Sequence, residues 1–256
     1  VKNPSNDLFS LRYIVDMGTN HDRELGVAVR YLEYLGTSDF APSAFKQELF
    51  KLGLSLNVYV GDDRSYITVS GLEKNLEQGV ELLEQLLADA QPNDDALKGL
   101  VDDMQKSRQD QAKNKNTILY EGLANYAKYG PVSAFNDVLG KAQLEALQSK
   151  ELIDRIHSIT SYKHKVFYYG KKSADDVATL LKKMHKTPAT LKELPKERVY
   201  PELPTTENKV YFADHDMVQA EMLFYGKAGQ FDVSKLPYAS LFNEYFGSGL
   251  SSIVFQ

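Results

Sequence analysis

Between Leu25 and Leu35 the apolar residues Leu25, Ala28, Val29, Leu32 and Leu35 recur at spacings of three and four, and the run stops at Gly36. That pattern predicts a helix with one buried face. Ahead of it, "DLFSLRYIVDMG" (Asp7 to Gly18) is rich in β-branched and aromatic residues and closes on glycine, as a first strand does. A short helix is expected from Pro42 to Gly53. "LSLNVYV" then alternates strictly, with Leu54, Leu56, Val58 and Val60 on one side, and "GDD" (Gly61 to Asp63) turns the chain into "RSYITVSG". Residues 54–71 therefore read as a β-hairpin with a half-buried first strand.

From Leu72 to about Ser158 the periodicity is helical: "NLEQGVELLEQLLADA", a break at Pro92, "DDALKGLVDDMQKSRQDQ", a segment around Tyr120 to Tyr129, and "AQLEALQSKELIDRIHSI". "HKVFYYG" (His164 to Gly170) returns as a strand, and "SADDVATLLKKMHK" as a helix capped by Ser173. Few strands, joined partly by a hairpin and partly by long helical excursions, predict an α+β fold. Specifically, they predict a two-layer α/β sandwich in which a mixed β-sheet carries its helices on one face. Residues 1–186 would form this domain. Residues 187–208 hold four prolines and no consistent period, which reads as a linker or a surface strap. After it, "KVYFADHD" and "VQAEMLFYGKAG" read as strands and "KLPYASLFNEYFG" as a helix, so residues 209–256 resemble the truncated start of a second, related domain. Val210, Phe212, Met222 and Phe224 are then expected to lean on the first domain or on a partner.

Composition narrows the function classes. A net charge of −5 argues against nucleic acid, and the basic runs Lys106 to Lys115 and Lys182 to Lys186 read as solvated helix faces. No apolar run reaches the length of a membrane-spanning helix. The chain has no cysteine, so disulfides and thiolate metal sites are excluded. The compartment stays open, with an extracytoplasmic one expected for a bacterial source. With no initiator Met and an apolar final "SSIVFQ", the sequence reads as a piece of a longer polypeptide.

Gly26, Leu35-Gly36-Thr37, Leu52-Gly53 and the later run Phe246-Gly247-Ser248-Gly249-Leu250-Ser251-Ser252 stand in an order and spacing that resembles the pitrilysin/insulysin family of zinc peptidases, which includes the mitochondrial processing peptidases. The resemblance covers nearly the whole chain. It implies a family protein of four related α/β domains forming two halves that close around a chamber. The first of these carries an inverted zinc motif, His-x-x-Glu-His, and a distant Glu. Zinc needs three protein ligands and an open position for a polarised water, with a carboxylate as general base. No register supplies them here. Anchoring on Gly36-Thr37 places Val27, Arg30 and Tyr31 at the key positions; anchoring on Gly26 places Val29, Leu32 and Glu33; anchoring on Glu33 leaves Arg30 and Tyr34 as the flanking pair. Between Glu84 and Glu121 there is no glutamate, and Asp102, Asp103 and Asp110 read as solvated helix charges.

Arg30, Glu33 and Tyr34 are thus the degenerate metal-site positions. They read either as a surface Arg30–Glu33 pair or as a guanidinium filling the vacated pocket. His21 and Glu24 form a weak metal decoy, with Leu25 where a second His would stand. His157 and His164 flank a loop, His185 ends a helix, and His215 lies between Asp214 and Asp216. The resemblance implies the inactive partner half of a zinc protease: no catalytic residue and no cofactor in this chain, zinc in the catalytic half, that half as partner, and an extended peptide as substrate. Peptide binding is expected at Gly247, Ser248, Gly249, Ser251 and Ser252, although Ile253 stands where an Arg is common. The alternatives are a purely structural scaffold subunit of the same fold, or a metal-dependent hydrolase with a different site.

Overall fold

The structure is a computed structural model that describes residues 1–256 except 217, 227, 228, 230 and 256. It divides into two units, one of residues 1–203 with 211–218 and the other of residues 204–210 with 219–256.

The first unit is built on an open sheet of β1 (Leu8–Val15), β2 (Leu54–Val60), β3 (Ser65–Leu72) and β4 (His164–Tyr169), in the order β2-β3-β1-β4. All three pairings are antiparallel, with Leu11 opposite both Val69 and Tyr168, and Val69 opposite Leu56. Parallel pairing, which the expected mixed sheet called for, is confined among the described residues to the single bridges Lys2–Gly170 and Tyr162–Lys192. Alternation decides the faces. Phe9, Leu11, Tyr13 and Val15 of β1 are buried with Ile67 and Val69 of β3, whereas Arg12, Asn57 and Phe167 are exposed on the opposite face.

The helices cover the buried face. They are α1 (Leu25–Tyr31), α2 (Pro42–Lys51), α3 (Leu76–Asp89), α4 (Asp94–Gln111), α5 (Ala124–Tyr129), α6 (Lys141–Glu145), α7 (Ser149–Ser158) and α8 (Ala174–Met184). α1 packs on β2, α4 and α7, while α3 packs on β3, α7 and α8. Leu76, Val80, Leu83 and Leu86 of α3 meet Leu152 and Ile156 of α7 in a core that is almost completely dry. Burying each such side chain contributes about 1.5–3 kcal/mol relative to leaving it in water. The Ser173 hydroxyl caps α8 by accepting from the Asp176 amide at 3.2 Å.

Three glycines that carry the family resemblance have local reasons. A Cβ on Gly36 would lie 2.1 Å from the Phe40 carbonyl oxygen, because residues 37–40 form a tight turn closed by Thr37 N–H on that same oxygen at 2.9 Å. Gly53 ends α2 at φ +62°, a left-handed conformation that only glycine adopts without cost. Gly26 lies in α1, where a Cβ would come within 3.1 Å of the Thr19 methyl.

Residues 187–203 contain no helix or strand beyond one bridge, and they are pinned as a strap. Lys192 N–H donates to Ser161 O at 2.8 Å and Arg198 N–H to Asn20 O at 2.9 Å. Asp137 takes the Arg198 Nε at 2.9 Å and the Tyr200 hydroxyl at 2.6 Å.

The second unit contains α9 (Leu236–Phe246) and short 3-10 turns at Val233–Lys235 and Ile253–Phe255. The two strands expected between residues 209 and 229 are not formed among the described residues, and residues 227 and 228 of the second lie outside them. Val210, Phe212, Met222 and Phe224 are 91%, 85%, 74% and 88% exposed within this chain, which leaves a partner as the surface expected to cover them. The physical reason for the unformed strands is pairing. An alternating segment becomes a strand only when an edge satisfies its amides and carbonyls, and a two-stranded ribbon alone is marginal in water.

Candidate functional site

α1 is where the family resemblance locates a metal motif. It is buried on most of its circumference: Leu25, Val27, Ala28, Val29 and Tyr31 are buried, as is Leu32, which opens the 3-10 turn Leu32–Tyr34 that continues the helix. The Tyr31 phenol is spent on the backbone, accepting from Asn93 N–H at 2.7 Å and donating to Asn93 O at 2.6 Å. Arg30 and Tyr34 are exposed and Glu33 is half-buried. The guanidinium plug is therefore not what the fold builds, because Arg30 lies on the outward strip of the helix. Nor does Arg30 pair with Glu33; its nearby charge is that of Arg108, whose own pKa is lowered first by burial and then by Arg30. Tyr34 carries the Lys46 ammonium over its ring at 5.5 Å. Asp102, Asp103 and Asp110 on α4 are exposed.

His21 and Glu24 do not converge. The His21 Nδ1 accepts from Gly18 N–H at 3.2 Å. Glu24 is ion-paired at 2.5 Å with Arg155 of α7, which also holds Asp22 at 3.0 Å. His157 is exposed, and the His215 Nε2 lies 3.0 Å from Lys113 O. In the second unit the α9 end passes into the glycine-rich run. Gly247 and Ser248 both donate to Asn243 O at 2.9 Å, Gly249 takes φ +92°, and the Ser252 hydroxyl donates to Gly249 O at 2.9 Å. Ser248 and Ser251 are exposed, whereas Ser252 is buried.

Two histidines that stand far apart in the sequence meet in a single cluster. His164 opens β4 and His185 follows α8, and their Nε2 atoms lie 2.7 Å apart. The His185 Nδ1 lies 2.7 Å from Glu84 Oε1 of α3, the oxygen to which the Tyr13 hydroxyl of β1 also donates. The His164 Nδ1 lies 2.7 Å from Tyr162 O. A carbonyl can only accept, so Nδ1 of His164 carries the proton, and its Nε2 accepts from His185. Burial first, and then the charge of His185, hold His164 below the usual imidazole range. Burial and the adjacent Glu84 charge push the Tyr13 phenol far above its usual value. The polar atoms pair with one another along a line, and they do not converge on a common point.

Zinc, the metal implied by the resemblance, does not fit these residues. Every inward position of α1 is aliphatic or a spent phenol, and among the described residues no group of three or more His, Asp or Glu could hold a metal.

The model of the insulinase family, peptidase family M16, matches residues 1–134. The chain belongs to this family. Among solved structures, the inactive domain of a peptidase M16 from Pseudomonas fluorescens is similar over 77% of this chain and 51% of its own, with a TM-score of 0.61 at 15% identity. A protease from Helicobacter pylori matches over 79% of this chain and 51% of its own, with a TM-score of 0.62 at 14% identity. The ferredoxin protease FusC, in complex with Arabidopsis ferredoxin, matches over 77% of this chain and 22% of its own, with a TM-score of 0.61 at 12% identity. This M16 chain therefore spans about half of the first two relatives and about a fifth of the third. Among curated proteins none matches it.

Proposed function

We propose that this M16 domain is the non-catalytic half of a zinc peptidase and acts by holding substrate and closing the chamber around it, together with a catalytic half supplied in the same chain or by a separate subunit. The observation that carries the proposal is the inner face of α1. Family membership gives a peptidase scaffold, yet the buried residues of α1 and of the turn after it include Val27, Val29 and Leu32, while Arg30 and Tyr34 are exposed and Glu33 is half-buried. Aliphatic groups cannot polarise water. The similarity to an M16 inactive domain supports the same reading.

Substrate would be an extended peptide, because a strand edge and a glycine-rich turn both offer main-chain hydrogen bonds without demanding a particular sequence. β2 and β4 are the outer strands of the sheet. The end of β4 is already paired with the segment of residues 1–3, where the Val1 ammonium donates to Tyr168 O at 2.7 Å and Asn3 N–H to Gly170 O at 2.7 Å, which leaves β2 as the edge for a peptide. Gly247, Ser248, Gly249, Ser251 and Ser252 remain our candidate peptide contacts. In this reading residues 187–208 connect the domain of residues 1–186 to the start of a related one at 209–256, whose missing strands would form when the rest of that sheet is present.

The test is complementation. The chain is mixed with a family half that carries His-x-x-Glu-His, and cleavage of a fluorogenic peptide is followed for each component alone and for the mixture. Silence from this chain alone and a gain on mixing are expected. Tight assembly without any change in turnover would instead indicate a scaffold. Cleavage by this chain alone, with bound metal, would indicate a different site and refute the proposal.

A further inference from the structure

The face of the sheet opposite the helices carries one cation that finds no counter-ion among the described residues. Arg12 of β1 is exposed, and its Nε donates to the Thr68 hydroxyl of β3 at 3.1 Å. Its guanidinium carbon lies 5.6 Å from the centre of the Tyr66 ring. These two contacts hold the side chain in place and leave the terminal amino groups without an acceptor among the described residues. The basic residues nearby are neutralised. Lys165 pairs with Asp16 at 2.8 Å, and Arg64 pairs with Asp16 at 3.0 Å and with Asp63 at 3.8 Å, two carboxylates for two cations.

Arg12 also lines a depression with Asn57, Tyr59, Tyr66 and Thr68. Tyr59, whose ring centre is 5.8 Å from that of Tyr66, is 63% exposed. On the other side of Arg12, its cross-strand neighbour Phe167 of β4 is 44% exposed. A clamped guanidinium is the group best suited to fork onto a carboxylate, because little side-chain freedom is left to lose on binding. Exposed aromatic rings on both flanks supply apolar contact to whatever brings that carboxylate.

We infer that this open sheet face, centred on Arg12, selects peptide segments that carry a glutamate or aspartate with an apolar residue two positions away. In an extended peptide those two side chains lie on the same side, about 7 Å apart, which suits one on Arg12 and the other on Phe167 or Tyr59. The inference rests on the peptide-binding reading above and adds a specificity to it. Net acidity of the whole chain would disfavour acidic peptides in general, so a preference for a single carboxylate would mark a local cation.

The probe is a fluorescein-labelled nine-residue peptide with a central Glu and Leu two positions to either side, compared with its Gln twin by fluorescence anisotropy on the full chain. The Glu peptide is expected to bind roughly five- to tenfold more tightly than the Gln twin. Arg12→Gln should abolish that difference by weakening the Glu peptide to the level of its Gln twin, and Arg12→Glu should reverse the preference toward a Lys-centred peptide. Equal binding of the Glu and Gln peptides, or a preference that survives Arg12→Gln, overturns this inference and leaves peptide binding standing. Binding of neither peptide overturns both. Circular dichroism of each variant, matching the parent, establishes that the sheet is intact.

Discussion

Replacing Tyr13 by Phe removes one oxygen from the buried line of Tyr13, Glu84, His185 and His164 and leaves the ring volume in place. Tyr13 is only 1% exposed, so no water takes over the lost contact from the β1 side. Its hydroxyl donates to Glu84 Oε1, whose side chain is itself 15% exposed and also faces His185 Nδ1 at 2.7 Å. Hydrogen bonds to charged groups contribute about 1.5–3 kcal/mol, and a phenylalanine ring leaves no cavity to add to that cost. With partial access for water at Glu84, about 2 kcal/mol is expected. In a unit of this size each kcal/mol moves Tm by about 2–4 °C, so Tyr13→Phe should melt about 4–8 °C lower. Urea unfolding followed by circular dichroism should show a lower midpoint with an unchanged slope. A double-mutant cycle with Glu84→Gln should give a coupling of at least about 0.5 kcal/mol. A Tm shift under about 1 °C, or additive single variants, would refute the reasoning and reduce the line to a coincidence of packing.

The same line sets a pH dependence whose sign follows from geometry. Protonated His164 would turn an Nε2–H toward the Nε2–H of His185, a donor against a donor, and burial acts in the same direction, so its folded pKa lies below the ordinary value of 6.5. As pH falls through that ordinary value the unfolded chain takes up a proton that the folded one refuses. Stability therefore declines between 6.5 and the lower folded value and is flat above it. His164→Gln should flatten the profile between about pH 5 and 7.

Leu83→Ala in α3, at a position 2% exposed, should cost about 2.7–5 kcal/mol in urea unfolding, through lost transfer and residual cavity. Gly36→Ala must displace the Phe40 carbonyl and should cost about 1–3 kcal/mol, with exchange of the Thr37 amide accelerated. Asp137→Asn should free the strap of residues 187–203, read as faster tryptic cleavage at Lys196 and Arg198. In the parent the Tyr200 hydrogen bond, and then the charges of Arg23 and Arg198, hold Asp137 below its ordinary value of 3.8. Its contribution is thus complete above that value and is lost only as pH falls through the lower folded one, so the strap should release only in strong acid.

How much of this is legible in the sequence depends on how far apart the interacting residues lie. The hairpin, α1, α2 and the Ser173 cap are readable because alternation, three-and-four spacing and turn glycines act within a few residues. The strands expected near Val210 and Met222 fail because hydrophobic alternation describes a face, whereas a strand also needs a partner edge. The His164–His185 pair escapes a reading by local pattern, although a signal for it exists. A six-residue strand followed by an eleven-residue helix running back along it spans similar lengths, about 20 and 16 Å, so the helix end returns to the strand start.

Arg30, Glu33 and Tyr34 make the sharpest case. Their spacing predicts one shared side of a helix, whereas α1 ends at Tyr31 and Glu33 and Tyr34 lie in the 3-10 turn Leu32–Tyr34 that follows it; and sharing a side does not say which side. The apolar set Leu25, Val27, Ala28, Val29, Tyr31 and Leu32 wraps most of the helix, because β2 presses on it from below and α4 and α7 from beside it, and only a narrow strip remains for polar groups. The width of the apolar arc is therefore the better guide: a strip that narrow is what solvent leaves over, and a pocket lined by it would face outward. The same logic separates the two halves of the functional reading. That α1 lacks zinc ligands needs no geometry, since no imidazole pair is there to be oriented. Arg12 becomes interesting only once register sets it beside Thr68 and Phe167 with no carboxylate among the described residues to meet it, and no local pattern around "SLRYIV" announces that.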